Sequence, residues 1–576
     1  MKKFLTLISI LILVPLSLYS MDQEIFSLDN NVYDYIDYIY IIDHKVPPTA
    51  AKPYSIGQLK LYLSQIDYNE LNATGKNYYS YINKIINQNN LDITLDDKAS
   101  MDVEALSGFE VYTHTNTADI KTHRDWVYEQ EDRLPLLKLN LKLAMDDLFF
   151  TSCDLQYSQG KYEPSSESQY YYTGNQLYDN LAQYGIGALP KTAIKYNILT
   201  NQYNQSTATN IPLASKYIDF DTPKRAIFSV GGDNWNFNFS KDKLEWGNST
   251  IGNFIYDDHI KNNFINLKIF SKNFNINNTI ALLNTQTDWG ESPDTKVKMF
   301  LTHRLEFRPT EFFRFAVSEN VMYQNDTLIP LYLNPSYIYH NINMRGMFNA
   351  IASLESDILL TNKLSWYSQF VLDQARAPNE DDSQSGAWGF SSGLKYVSTI
   401  NNTDILNISA EALLAAPCLY RRDEVDFITF DRTFVINQSY IIEPTFIGFS
   451  EGGDSVAFKL QTTYTRLNKF DFSLYYYLLL KGEMNIFMAS TVDSSGNPIS
   501  NDGRPNYGSE IFKNGIFSIK HVVNGTLNYQ IYKNNYFEVS NRNTLSYVYM
   551  DVLQTSAVNP TSYSDIQFSS GISIKF

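Results

Sequence analysis

A chain of 576 residues carries 46 Lys and Arg against 62 Asp and Glu, a net charge of −16, with 43 Tyr, 35 Phe and two Cys. The acidity excludes a general nucleic-acid binder, whose electrostatic footprint is basic, and two cysteines exclude a disulfide-stapled exported scaffold. Tyr at this frequency suits a boundary between water and membrane, where one end of the ring is apolar and the other polar.

The chain opens MKKFLTLISILILVPLSLYS. Lys2 and Lys3 precede an apolar run from Phe4 to Leu18, and Ser20 is a small residue at a cleavage point, so residues 1–20 read as a secretory signal peptide. The run is shorter than the ~20 residues of a spanning helix, and no later stretch reaches ~18 consecutive apolar residues. Without Lys2 and Lys3, 44 basic residues face 62 acidic ones, a net −18.

Residues 21–103 form a first region. The Pro-rich lead HKVPPTAAKPYS is extended. Ile56, Leu59, Leu63 and Ile66 then repeat at helical spacing, as do Tyr78, Ile82 and Ile85, with a second helix starting near Thr74-Gly75. This predicts a small α-helical domain, periplasmic and separate from the rest of the chain.

From residue 104 onward the period changes to two. In LLKLNLKLAM, Leu137, Leu139, Leu141, Leu143 and Met145 share one face while Lys138, Asn140 and Lys142 share the other. A turn at Asp146-Asp147 leads into LFFTSCDLQY, where Cys153 keeps step with Phe149 and Leu155 and reads as an apolar-packed thiol rather than half of a bridge to Cys418. Further tight turns are predicted near Lys272-Asn273 and Asn468, and at Pro309-Thr310, Asn362, Asn401-Asn402 and Asn534-Asn535. The connections between these hairpins are long, at 158–222, 324–346, 417–453 and 486–513. Short turns at one end and long loops at the other are the asymmetry of a bacterial outer-membrane barrel, and the candidate strands number about 18. The chain closes on FSSGISIKF, in which Phe568, Ile572, Ile574 and Phe576 share a face. This resembles the terminal strand of outer-membrane barrels, whose final aromatic residue marks them for the barrel insertion machinery.

The stretch MFLTHRLEFRPTEFFRF sets Arg304, Glu306 and Arg308 at alternate positions among Met299, Leu301, Leu305 and Phe307. In a barrel the charged row points into a hydrated lumen and the apolar row to acyl chains, because an Arg facing lipid at the midplane costs ~2–4 kcal/mol. His303 and Glu319 fall on the lipid-side parity, against the pattern.

Local motifs for catalysis are missing. The seven His residues are scattered, and none stands in an HExxH spacing. YDDHI at 256–260 reads as a solvated loop before a metal site, and the Gly-rich SVGGDNW (229–235) lacks a following helix to hold phosphate. The sequence therefore predicts no enzyme, no cofactor and no metal site. Aromatic, Asn, Asp and Arg side chains in long loops suit sugar binding, with rings on apolar sugar faces and amides or carboxylates on hydroxyls.

The order of PPTAAKPYSIGQLKLYL, NFNFSKDKLEWGNSTIGNFIYDD, THRLEFRPTEFFRFAVSENVMY, LYLNPSYIYHNIN and YSQFVLDQ resembles the capsule assembly Wzi family of outer-membrane proteins. The resemblance implies an all-β transmembrane barrel of about 18 antiparallel strands over residues 104–576, with the helical domain on its periplasmic side. It implies lectin-like retention of capsular or other surface polysaccharide, with outer-membrane lipid as the other partner. The matching positions are Trp246, Gly247, Arg304, Glu306, Arg308, Glu319 and Asp373, as lumen or rim candidates. A diffusion porin and a structural surface antigen or adhesin remain alternatives. The 158–222 segment is long enough to fold over or into the mouth.

Overall fold

The computed structural model describes residues 22–87, 93–95, 99–120, 123–161, 203, 205–219, 222–284, 297–339, 347–375, 386–422, 425–435, 439–484, 486, 508–534, 536–553 and 561–576. The signal peptide and residues 162–202, most of the long segment expected at the mouth, lie outside the described residues.

The period-two sequence makes a closed antiparallel barrel of 18 strands. The first half comprises β1 (Ala99–His114), β2 (Leu137–Met145), β3 (Phe149–Tyr157), β4 (Ala226–Gly232), β5 (Trp235–Lys243), β6 (Lys261–Phe270), β7 (Phe274–Leu283), β8 (Val297–Thr310) and β9 (Phe313–Asn325). The second comprises β10 (Phe348–Leu359), β11 (Leu364–Gln374), β12 (Ala387–Ile400), β13 (Asp404–Ala415), β14 (Ser455–Arg466), β15 (Phe470–Lys481), β16 (Ser518–Lys533), β17 (Glu538–Val552) and β18 (Thr561–Lys575). Each strand pairs with its neighbour, and β18 returns to β1, from Gln567 opposite His114 to Lys575 opposite Leu106. Closure satisfies every edge, which a sheet in lipid requires. A separate hairpin, Ile428–Val435 with Ser439–Phe446, leaves the wall between β13 and β14.

The tight turns fall where the sequence places them. Asp146, Asn401 and Asn468 adopt the left-handed conformation that Asp and Asn tolerate. One turn is displaced. β8 continues through Thr310, the turn is Glu311-Phe312, and the pairing register shifts between Phe307 and Thr310. Pro309 has no N–H to give the ladder, so the strand bulges past it instead of ending.

The alternation in β8 is as expected, with Leu305 and Phe307 exposed on the outer face while Arg304, Glu306 and Arg308 point inward. Two expectations need correction. Met299 and Leu301 do not meet acyl chains, because residues 326–339 lie across the outer surface and bury both, together with Val321, Tyr323 and Phe348. The same strap explains the two polar residues on the wrong parity. Tyr339 stacks on His303 at 4.3 Å, and its N–H donates to the Glu319 carboxylate at 3.1 Å.

The N-terminal region contains α1 (Val32–Ile42), α2 (Ile56–Leu63) and α3 (Ala73–Asn87). Ser55 caps α2 by accepting the Gln58 N–H at 3.2 Å. In α3 the buried row is Tyr78, Ile82 and Ile86, so Ile86 takes the place expected of Ile85. The helices share their core with Val397 and Ile405 of β12 and β13. Thr74 and Asn77 donate to the carbonyls of Asn401 and Asn402, fixing the helices at the tight-turn end of the barrel. Both cysteines are free thiols.

The strap makes a specific prediction. In a background with Cys153 and Cys418 replaced by Ser, single cysteines at 305 and 307 react with a membrane-partitioning maleimide and a cysteine at 301 does not. Replacing residues 327–339 with a short Gly-Ser linker makes position 301 react.

Candidate functional site

The inward row does not face open water. Arg304 is fully buried, and its guanidinium grips Glu355 with two nitrogens at 3.1 and 2.6 Å. Its third nitrogen lies 2.8 Å from Glu306. Arg314 of β9 directs two nitrogens to one oxygen of Asp357, at 3.2 and 2.6 Å, and stands 4.0 Å from Glu306. Glu306 also accepts from Asn275 at 2.6 Å. Fork-to-carboxylate pairs of this kind are the strong, orienting hydrogen bonds of an interior.

The remaining partners come from the N-terminal lead. Thr49 donates its hydroxyl to Glu306 at 2.9 Å, and Arg314 donates to the carbonyl of Pro47 at 3.1 Å. Lys268 of β6 donates to the carbonyl of Pro53, and Arg308 donates to Gln65 just after α2. The Pro-rich stretch is therefore a strand-like insert in the lumen, tied to the wall by the charged row. Ala51 and Lys52 pair with Trp246 and Glu245 as a two-stranded ladder within the barrel.

That ladder belongs to residues 244–257, which dip into the lumen between β5 and β6. Gly247, at φ +127°, gives the N–H that meets Ala50 and turns the chain out of the ladder, a conformation that a Cβ would strain. Glu411 anchors the far side by accepting the Thr250 N–H at 2.6 Å and the Tyr367 hydroxyl at 3.0 Å. Burial pushes the Glu245 carboxyl up to about 7, and Lys52, at 3.3 Å, offsets part of that rise.

Trp246 is fully buried, packs edge-on to Tyr256 at 5.0 Å and joins a lumen core with Phe254, Phe300, Tyr420, Phe427 and Phe449. Its ring faces protein rather than a solvent-accessible groove. Asp373 is also inside the wall and accepts the Tyr420 N–H at 2.8 Å, which holds the segment after β13 against β11. Glu319 lies outside, under the strap. The structure thus gathers Arg304, Glu306 and Arg308 against the insert, pairs Trp246 with the insert at Ala51, and sets Asp373 and Glu319 elsewhere.

The other half of the lumen is less tightly packed and keeps cavities. Between β1 and β6 lies a cavity of about 580 Å³. It shares wall residues with one of about 470 Å³ toward the tight turns and one of about 210 Å³ toward the long loops. Lys138, Lys243, Lys224 and Lys261 recur along these walls. Period-two patterning marked Lys138 as inward, but the cavity also draws on residues 130–135 and 209–225, which have no periodic signal.

No protein-family model matches the chain, and no curated protein matches it. Among solved structures it is similar to Wzi of Escherichia coli, described as an outer membrane protein involved in group 1 capsule assembly and a carbohydrate-binding β-barrel. The match has a TM-score of 0.54 and 10% identity, over 95% of this chain and 98% of that one. The chain has the fold of Wzi. Looser matches include Pseudomonas aeruginosa OprD, with TM-score 0.36, 10% identity and 83% and 95% of the two chains. Another is the outer membrane channel DcaP of Acinetobacter baumannii, with TM-score 0.33, 9% identity and 84% and 99%. The Wzi-like barrel expected from the sequence is present with its 18 strands, and its closed apolar-coated wall places the protein in the bacterial outer membrane.

Removing one member of the buried charge lattice leaves its partners uncompensated. Arg304→Met strands both Glu306 and Glu355, and costs about 3–5 kcal/mol. Denaturant unfolding in lipid vesicles measures this. The double replacement of Arg304 by Met and Glu355 by Leu loses less than Glu355→Leu and Arg304→Met added together.

Proposed function

We propose that the protein holds capsular or other surface polysaccharide at the cell surface and is neither an enzyme nor an open diffusion channel. The observation that carries the reading is the filled lumen. The Pro47–Pro53 insert and residues 244–257 are folded into the barrel with specific partners, and they bury an aromatic core across the β7–β14 side. A general porin gains nothing from occupying its passage with a hydrogen-bonded plug, whereas a binding barrel needs a rigid platform for its loops. The known carbohydrate binding of Wzi, the protein of similar fold, supports the same class of ligand.

On this reading the helices α1–α3 face the periplasm, on the tight-turn side, and the polysaccharide meets the long-loop side. Arg304, Glu306 and Arg308 brace the plug rather than touch sugar. Deleting the gene in its own host releases surface polysaccharide into the medium, and plasmid-borne protein restores retention. Full retention without the protein, with the outer membrane otherwise intact, contradicts the proposal and favours a porin or an adhesin.

A further inference from the structure

Arg133 lies in the segment joining β1 to β2, and its environment is unlike that of the other buried arginines. Arg304 and Arg314 each hold a carboxylate with two nitrogens. Arg133 is only 8% exposed, yet no carboxylate among the described residues lies within ion-pair distance. Its one hydrogen bond goes to Gln130 Oε1 at 3.3 Å, and Nε and Nη2 have no partner. The guanidinium rests on aromatic faces instead, 4.0 Å from the Tyr112 ring centre and 5.0 Å from that of Trp126. Cation–π contact compensates a buried cation only in part.

A second arginine repeats the arrangement. Arg542 of β17 lies over the Tyr128 ring at 4.4 Å, and its Nε also lacks a partner. The two supporting rings are each fixed at the hydroxyl, Tyr112 donating to the Glu110 carboxylate at 2.6 Å and Tyr128 to the Asp132 carbonyl at 2.8 Å. Both arginines are among the residues that line the 580 Å³ cavity. Eight Lys and Arg against six Asp and Glu line it in all, an excess of positive charge in a chain of net charge −16. Glu131 on the same wall senses that field. Burial alone would raise its pKa, and Lys224, Lys261 and Lys161 hold it well below the ordinary value.

We propose that Arg133 and Arg542 form an anion site in the lumen that takes the carboxylate of an acidic sugar, one or two residues in size. The planar fork of a guanidinium matches a carboxylate edge. The volume falls in the range of small-ligand pockets. The neutral part of the wall is mixed: Gln156, Ser158, Gln159 and Thr209 stand among Leu106, Leu134 and Pro135, and amide and hydroxyl side chains both donate to and accept from sugar hydroxyls. The sugar identity rests on the polysaccharide-retention reading, whereas the anion site rests on the arginine geometry.

The test uses full-length protein in detergent and calorimetric titration with digalacturonate, its dimethyl ester and inorganic phosphate. Wild-type protein binds digalacturonate at least tenfold more tightly than the ester or phosphate. Arg133→Gln and Arg542→Gln each reduce digalacturonate affinity about tenfold or more and leave ester binding unchanged. Arg542→Gln, at a half-buried position on the barrel wall, covers the case in which Arg133→Gln fails to fold. Equal binding of ester and acid, or digalacturonate binding unaltered in a folded Arg542→Gln protein, overturns the site. Phosphate binding as tightly as digalacturonate overturns the sugar class. Polysaccharide retention on cells is scored separately. If digalacturonate binding follows the arginines while cells lacking the protein keep their polysaccharide, the anion site stands and the retention reading falls.

Discussion

Glu306 stands between two guanidinium groups inside the barrel, with the Asn275 amide beside it, and the fourth group to reach it is a hydroxyl from a different part of the chain. That contact from Thr49 joins the wall to the N-terminal insert. Ions taken out of water lose several kcal/mol each of solvation, so they persist in an interior only where paired and hydrogen-bonded. Here Arg304, Arg314, Glu306, Glu355 and Asp357 answer one another, and the polar atoms left over are met by Thr49, Pro47 and Asn275. The lattice is complete only with the insert in place. The remainder of the plug depends on it: the Ala51–Trp246 ladder, the residues 244–257 that carry that ladder, and the aromatic core around Trp246.

The lumen therefore has two characters. Toward β7–β14 it is packed like a protein interior, with Phe254, Phe300, Tyr420 and Phe449 in mutual contact. Toward β1–β6 it keeps a run of cavities under lysine and arginine side chains. On the proposed reading, a barrel filled on one side and cationic on the other serves as a stable frame for selective contacts rather than as a general sieve. The helices α1–α3 add to the frame at the tight-turn end, where they bond the turn at Asn401-Asn402.

Much of this was legible in the sequence, and the parts that were not have physical causes. Strict alternation in LLKLNLKLAM and MFLTHRLEFRP reveals strand, face and hairpin, because lipid on one side and protein on the other leave no freedom of parity. The helix α2 showed through its spacing. α1 did not, since VYDYIDYIYII is made of strand-favouring residues and is helical because it is buried on nearly every side. The anomalies at His303 and Glu319 were visible, but their explanation was not. The strap that covers them is an aperiodic stretch whose place depends on tertiary packing. Arg304, Glu306 and Arg308 were correctly aimed inward, while the contacts that Thr49 makes to Glu306 and Gln65 to Arg308 join residues more than 200 apart in sequence. Trp246 drew notice as an aromatic beside a glycine, and only the fold shows that its ring is enclosed. The arginine pair at 133 and 542 had no local signal, because its meaning lies in carboxylates that are not beside it.

The central claim is that the plug is part of the folded barrel and blocks bulk passage. Single-channel current across a planar bilayer, recorded on the purified full-length protein, tests it most directly. The account predicts conductance near baseline for the wild type, and discrete openings once Thr49→Val and Glu306→Gln together release the insert. Large, steady open-channel current from the unmodified protein would contradict it.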